Sequence, residues 1–115
     1  MRKLKIALLV VVAIIFLGYV VFQFAYWRVE RLTRLHGAEF APAVAKLSNE
    51  VQYYKVFEYG PTQAKVFIVK QSDPNHRLGS YIYFKRTLQG WEYVKGDLVW
   101  ATLGSADGWT WPPYW

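Results

Sequence analysis

VQYYKVFEYGPTQAKVFIVK, residues 51–70, carries the pattern on which the fold turns. Two runs rich in β-branched and aromatic residues, 51–59 and 64–70, alternate with a period of two on either side of Gly60, Pro61 and Thr62. That pattern predicts a β-hairpin with a loop of about four residues. Downstream, SDPNHRLG (72–79) gathers Ser, Asp, Pro, Asn and Gly and predicts an exposed loop. SYIYFKRTL (80–88) and WEYVKG (91–96) follow as a third and fourth strand joined tightly through Gln89 and Gly90. DLVWATL (97–103) is either a fifth strand or the fourth continued past Gly96 through a bulge. The expectation is a four- to five-stranded antiparallel meander.

Upstream of Val51 the period becomes helical. Pro42 suits the first position of a short helix running to about Asn49, with Val44, Leu47 and Val51 at spacings of three and four. An earlier helix should run through VERLTRLHG (29–37), bring Leu32 and Leu35 to one face and stop at Gly37 in a left-handed cap after His36. These elements predict an α+β fold with the short helix on one face of the sheet. In outline, that order of elements is similar to the cystatin-like and NTF2-like arrangements.

Before position 28 lies IALLVVVAIIFLGYVVFQFAYW (6–27), with no charge and one strongly polar side chain, Gln23. Twenty-two helical residues span roughly 33 Å, enough to cross a hydrocarbon core of about 30 Å. A cleaved signal peptide would have a shorter apolar run, and Gln23-Phe24-Ala25 lacks the small residue that cleavage needs two positions before Ala25. An uncleaved anchor is therefore expected. Gly18 has Ile14 and Phe22 four positions away, so no small-residue pairing motif accompanies it. Tyr26 and Trp27 suit an interfacial belt, and Arg28, Arg31 and Arg34 form a collar at headgroup level. Arg2, Lys3 and Lys5 on the other flank balance that collar. Such a short basic tail favours a cytoplasmic N-terminus and an extracytoplasmic domain. The resulting organisation is a basic cytoplasmic tail (1–5), a transmembrane helix (6–27), a juxtamembrane helix extension and linker (28–41), and a small extracytoplasmic α+β domain with an aromatic tail (42–115).

With 115 residues and no Cys, the chain excludes a disulfide scaffold, a thiolate nucleophile, Cys-ligated zinc and a lipoprotein anchor. Aromatic residues make up 19% of it and offer the bulk for a small core. The net charge of +6 owes three units to Arg2, Lys3 and Lys5. From Arg28 onward, eleven basic residues face eight acidic ones without a stripe or binding motif, so nucleic acid is not an expected partner.

Candidate chemistry is sparse. Asp73, His76 and Asp97, with His36 in reserve, are the only material for an acid/base site, and Asp73 and His76 fall in a turn-rich tract. Neither HxxxH nor HxH spacing occurs, so no metal is implied. Ser48, Ser72, Ser80 and Ser105 lack a GxSxG or SxxK context. Alternation puts Tyr81, Tyr83 and Lys85 on one strand face and Ile82, Phe84 and Arg86 on the other, as in a solvated face with Lys stems over Tyr rings.

The tail GSADGWTWPPYW (104–115) is the most unusual segment. A turn is expected at Ser105–Gly108, and Pro112 and Pro113 exclude a central strand. Trp109, Trp111, Tyr114 and Trp115 are the candidate binding residues. Their rings would complete the core, form a platform for a partner or glycan, or dock at the membrane interface. The functional expectation is a non-enzymatic, cofactor-free, membrane-anchored module. Its partners would be the lipid bilayer and a membrane or envelope protein. The alternative is a cell-wall or carbohydrate binder using the tail aromatics.

Overall fold

The computed structural model describes residues 1–73, 75–102 and 108–114. It is α+β: one long helix, α1 (Arg2–Leu47), then β1 (Val51–Tyr59), β2 (Gln63–Asp73), β3 (His76–Thr87) and β4 (Gly90–Ala101). The strands form one antiparallel sheet in the order β1-β2-β3-β4. The N-terminal part of α1 is long and apolar enough to cross a membrane, and its first twenty residues, 2–21, are exposed.

There is one helix where two were expected. α1 passes through both Gly37 and Pro42 without stopping. Gly37 is buried under the Tyr54 ring, whose hydroxyl donates to the Gly37 carbonyl at 2.7 Å. Pro42 removes one backbone donor from the ladder, a cost that normally kinks or ends a helix. Here Phe40 and Val44 on either side of it are both buried, and their packing outweighs the local preference.

The strands also run further than the sequence suggests. Most of the supposed loop 72–79 is ladder, with Gln71 opposite Arg77 and Asp73 opposite His76. The β3–β4 turn is Leu88-Gln89, and Gly90, with φ of +117°, is the first residue of β4. No fifth strand forms among the described residues. β4 instead continues through Gly96, with register shifts that leave Val94 and Val99 without partners on β3.

Alternation gives the sheet two apolar faces. On one, Phe40 and Val44 of α1 pack over Val56, Ala64, Val66, Ile68, Ile82 and Phe84. On the other, Phe57, Phe67, Val69 and Trp100 form a second cluster that includes Val29 of α1. The helix thus touches both clusters and crosses the β1 edge between them. Thr33 marks that crossing: its hydroxyl donates to the Val29 carbonyl and accepts from the Val56 N–H, each at 2.8 Å. An edge-strand donor that would otherwise face solvent is satisfied by the helix.

Candidate functional site

The C-terminal segment returns to the helix that precedes the domain. Pro112 and Pro113 bar it from helix and central strand, so it is held by side chains. The buried Thr110 hydroxyl donates to the Pro112 carbonyl at 2.7 Å and accepts from the Tyr114 N–H at 2.9 Å. The Trp100 indole N–H donates to the Tyr114 carbonyl at 2.9 Å. Tyr26 on α1 donates its hydroxyl proton to the Pro113 carbonyl.

Tyr114 itself sits against Phe57 and Tyr26, with ring centroids 5.7 and 5.2 Å away. Its hydroxyl donates to Glu30 at 2.9 Å, and Lys55 reaches the same carboxylate. Burial, then the hydrogen bond and charge of Glu30, push the Tyr114 phenol well above its ordinary range. For Glu30, burial raises the pKa, but the Lys55 and Tyr114 hydrogen bonds and the Lys55 and Arg34 charges outweigh it and leave the carboxyl below its usual value.

The candidate binding residues therefore divide. Tyr114 belongs to the core, whereas Trp109 and Trp111 are 67% and 50% exposed. The two indoles stand 6.3 Å apart at 84°, so they do not share one flat platform. Trp111 also meets Phe22 edge-on at 5.6 Å, inside the apolar stretch of α1. Trp115 and positions 105–107 of the anticipated turn lie outside the described residues. The Gly108 N–H donates to the Val99 carbonyl at 2.8 Å and attaches the tail to the end of β4. A Cβ at Gly108 would stand 2.6 Å from that oxygen, so the close approach requires glycine.

Of the flanking residues, Trp27 is exposed with Arg31 over its ring at 5.3 Å, while Tyr26 faces the tail. Arg28 and Arg34 are exposed, as are Arg2, Lys3 and Lys5 at the far end.

The possible acid/base residues are not assembled into one site. His76 pairs with Asp73 at the exposed β2–β3 tip. The Asn75 backbone N–H, then His76, hold the Asp73 carboxyl below its ordinary range. Asp97 pairs in register with Tyr81, five residues along β3 from His76 and thus roughly 17 Å away. The Ser72 hydroxyl is turned to the His76 carbonyl, at 3.4 Å. Among the described residues, no three His, Asp or Glu side chains are placed to hold a metal.

His36 belongs to a separate brace, stacked on Tyr59 at 3.7 Å and bonded to Glu39 at 2.9 Å. Tyr59 also donates to Glu39, and Arg86 donates to the Tyr59 hydroxyl at 2.7 Å while lying over Trp91. The tie between α1, β1 and β3 was not legible in the sequence, because its members are up to 50 positions apart. Lysine stems do cover tyrosine rings, but they belong to Lys65 over Tyr81 and Lys95 over Tyr83. Lys85 faces Glu92 instead, at 4.0 Å.

The remaining surface feature is the β4 edge. Glu92 to Leu98 are all exposed, and Tyr93, Val94 and Leu98 present apolar side chains that are half accessible. Tyr93 and Leu98 lie opposite Phe84 and Ser80, on the face that α1 covers further in. No signal in the sequence distinguishes β4 as the open edge, because its alternation equals that of the paired strands. No family model, curated protein or solved structure matches this chain.

Proposed function

We propose that this protein is a single-pass, non-enzymatic membrane module that holds its α+β domain extracytoplasmically and engages a membrane or envelope protein through β4. The observation that carries the proposal is the inequality of the two sheet edges. α1 lies against β1 and its Thr33 takes one edge donor, the Val56 N–H, whereas β4 leaves a long exposed edge with Tyr93, Val94 and Leu98 beside it. Glu92, Lys95, Asp97 and the two register shifts blunt this edge against indiscriminate pairing, but residues 92–98 stay exposed, so it can accept an added strand of complementary charge. A partner supplying one extended segment would gain main-chain hydrogen bonds from β4 and bury Tyr93 and Leu98.

The unbroken helix supports this role. α1 enters the domain core through Val29, Phe40 and Val44 with no linker, so the domain's attitude to the bilayer is set by the helix.

Photo-crosslinking in native membranes tests the proposal. A crosslinker at Val94 or Leu98 should yield one discrete protein adduct, and a crosslinker at exposed Ala45 on α1 should not. The adduct should vanish in a Val94→Lys, Leu98→Lys variant that melts at the parental temperature. An adduct of equal yield from Ala45, or one that survives in the variant, would overturn the β4 assignment.

A further inference from the structure

Where α1 leaves its apolar stretch, the helix, the β1–β2 corner and the tail enclose a cleft of about 380 Å³. Its two ends differ in chemistry. Val21, Phe24 and Trp111 line it toward the apolar stretch, and Arg28, Lys65 and Glu58 bring charge to it on the domain side. Arg28 lies one helical turn beyond Phe24, so the change from apolar to cationic occurs over roughly 6 Å of helix axis.

The depth of that change is the useful quantity. If the hydrocarbon core begins at Ile6, about 30 Å of helix ends near Ala25. Arg28 then stands roughly 4.5 Å further out, in the headgroup layer, and the Val21–Phe24 end stays beside acyl chains.

The cations are available for a ligand. Among the described residues, neither Arg28 nor Lys65 has a carboxylate within 4.0 Å. Lys65 stands over the Tyr81 ring at 4.0 Å, which holds its ammonium group at the cleft wall. Glu58 is opposite Lys65 in the β1–β2 register and lines the same cleft. Two cations and one carboxylate leave a single net positive charge, which matches a singly anionic headgroup.

We propose that this cleft seats one anionic phospholipid from the leaflet on the domain's side. Its phosphate is held by Arg28 and Lys65, and an acyl chain lies along Val21 and Phe24 beside Trp111. The proposal rests on the membrane-spanning reading of α1 and is independent of the β4 partner. The lipid fills a gap between helix and tail, so it braces the tail at the surface where Trp27 and Trp109 are exposed.

Native mass spectrometry of the full chain in detergent, offered equal amounts of dioleoylphosphatidylglycerol and dioleoylphosphatidylcholine, provides the test. The parental protein should retain one phosphatidylglycerol with about fivefold or greater preference, the scale set by one basic residue near an anionic surface. Arg28→Gln with Lys65→Gln should abolish the preference. Arg31→Gln with Arg34→Gln, which removes two collar charges outside the cleft, should preserve it. Equal retention of both lipids overturns the proposal, as does a preference that survives the first pair or is lost equally with the second. Arg28 is exposed and Lys65 half-buried over Tyr81, so a thermal melt checks that the first pair still folds; Arg28→Glu alone gives the same readout if it does not. Alkaline carbonate extraction separates the two premises. A protein released to the supernatant refutes the anchor and the cleft together, and one that stays in the membrane without lipid preference refutes only the cleft.

Discussion

One face of the sheet is closed by α1, whose Phe40 and Val44 press on Val56, Val66, Ile68, Ile82 and Phe84. The other is closed over Phe57, Phe67 and Trp100 by a few residues at the end of the chain, with Tyr114 as their anchor. The first closure uses apolar area, which acts without direction and is hard to lose piecemeal. The second relies on a short set of directed hydrogen bonds through Thr110, Trp100, Glu30 and Tyr26. A segment held that way opens locally at lower cost than the sheet it covers. The helix-covered face should therefore govern global stability, and the tail-covered face should govern whether the domain stays docked on the base of its own helix.

The largest expected effect breaks the stronger side. Phe40→Ala removes a fully buried ring that touches Tyr59, Phe84 and Trp91, and should cost about 3–5 kcal/mol. A thermal melt of the purified full chain should show a large drop in Tm; a drop no larger than that of a tail variant would erase the distinction between the faces.

Next is the tail. Thr110→Val keeps the shape but strands the Tyr114 N–H and the Pro112 carbonyl, at about 1–3 kcal/mol. Hydrogen exchange should quicken at residues 108–114 and stay unchanged in β2. Equal quickening throughout would show that the tail is part of one cooperative unit.

Acidity should act on the same latch. Glu30 has a folded pKa below its ordinary value of 4.5, so its contribution is present above that value and is lost as pH falls through the lower folded one. Tyr114 has a folded pKa above its ordinary 10.0, so its contribution is present below 10.0 and declines as pH rises beyond it. Tail protection measured by limited proteolysis should form a plateau between these limits. Tyr114→Phe, which removes the bond to Glu30, should lower that plateau by about 1 kcal/mol and flatten its alkaline edge. An unaltered alkaline edge in that variant would assign the titration to another group.

The smallest effect sharpens the comparison from outside both faces. Val94→Lys on the open β4 edge should change stability by no more than about 0.5 kcal/mol, since Val94 is half exposed and sits at a register shift. A large loss would mean that β4 is already a structural interior.

Much of this architecture was legible from residues 51–70 outward. The hairpin, the meander and the α+β class follow from a period of two, and the possible span follows from the length and apolarity of 6–27. The helix break and the 72–79 loop failed for one reason: local composition was overruled by distant packing. Gly37 and Pro42 look like a cap and a fresh start until Tyr54, Phe40 and Val44 are brought together. SDPNHRLG has loop composition, yet Arg77 and Leu78 pair with Gln71 and Lys70 in the β2–β3 ladder. In the aromatic tail, equivalent-looking rings have different fates, Tyr114 in the core and Trp109 in the open.

The sequence by itself determined the periodicities and the places where they change, because helix and strand alternation are set within a few residues. Only the tertiary structure decided that a single helix would pass two breakers, that β1 and not β4 would be the protected edge, and that the chain end would fasten to Tyr26 and Glu30. Those outcomes depend on pairs such as Tyr26 with Pro113, 87 positions apart. No local pattern encodes a contact of that span; it exists only once the sheet has brought the C-terminal segment back to the middle of α1.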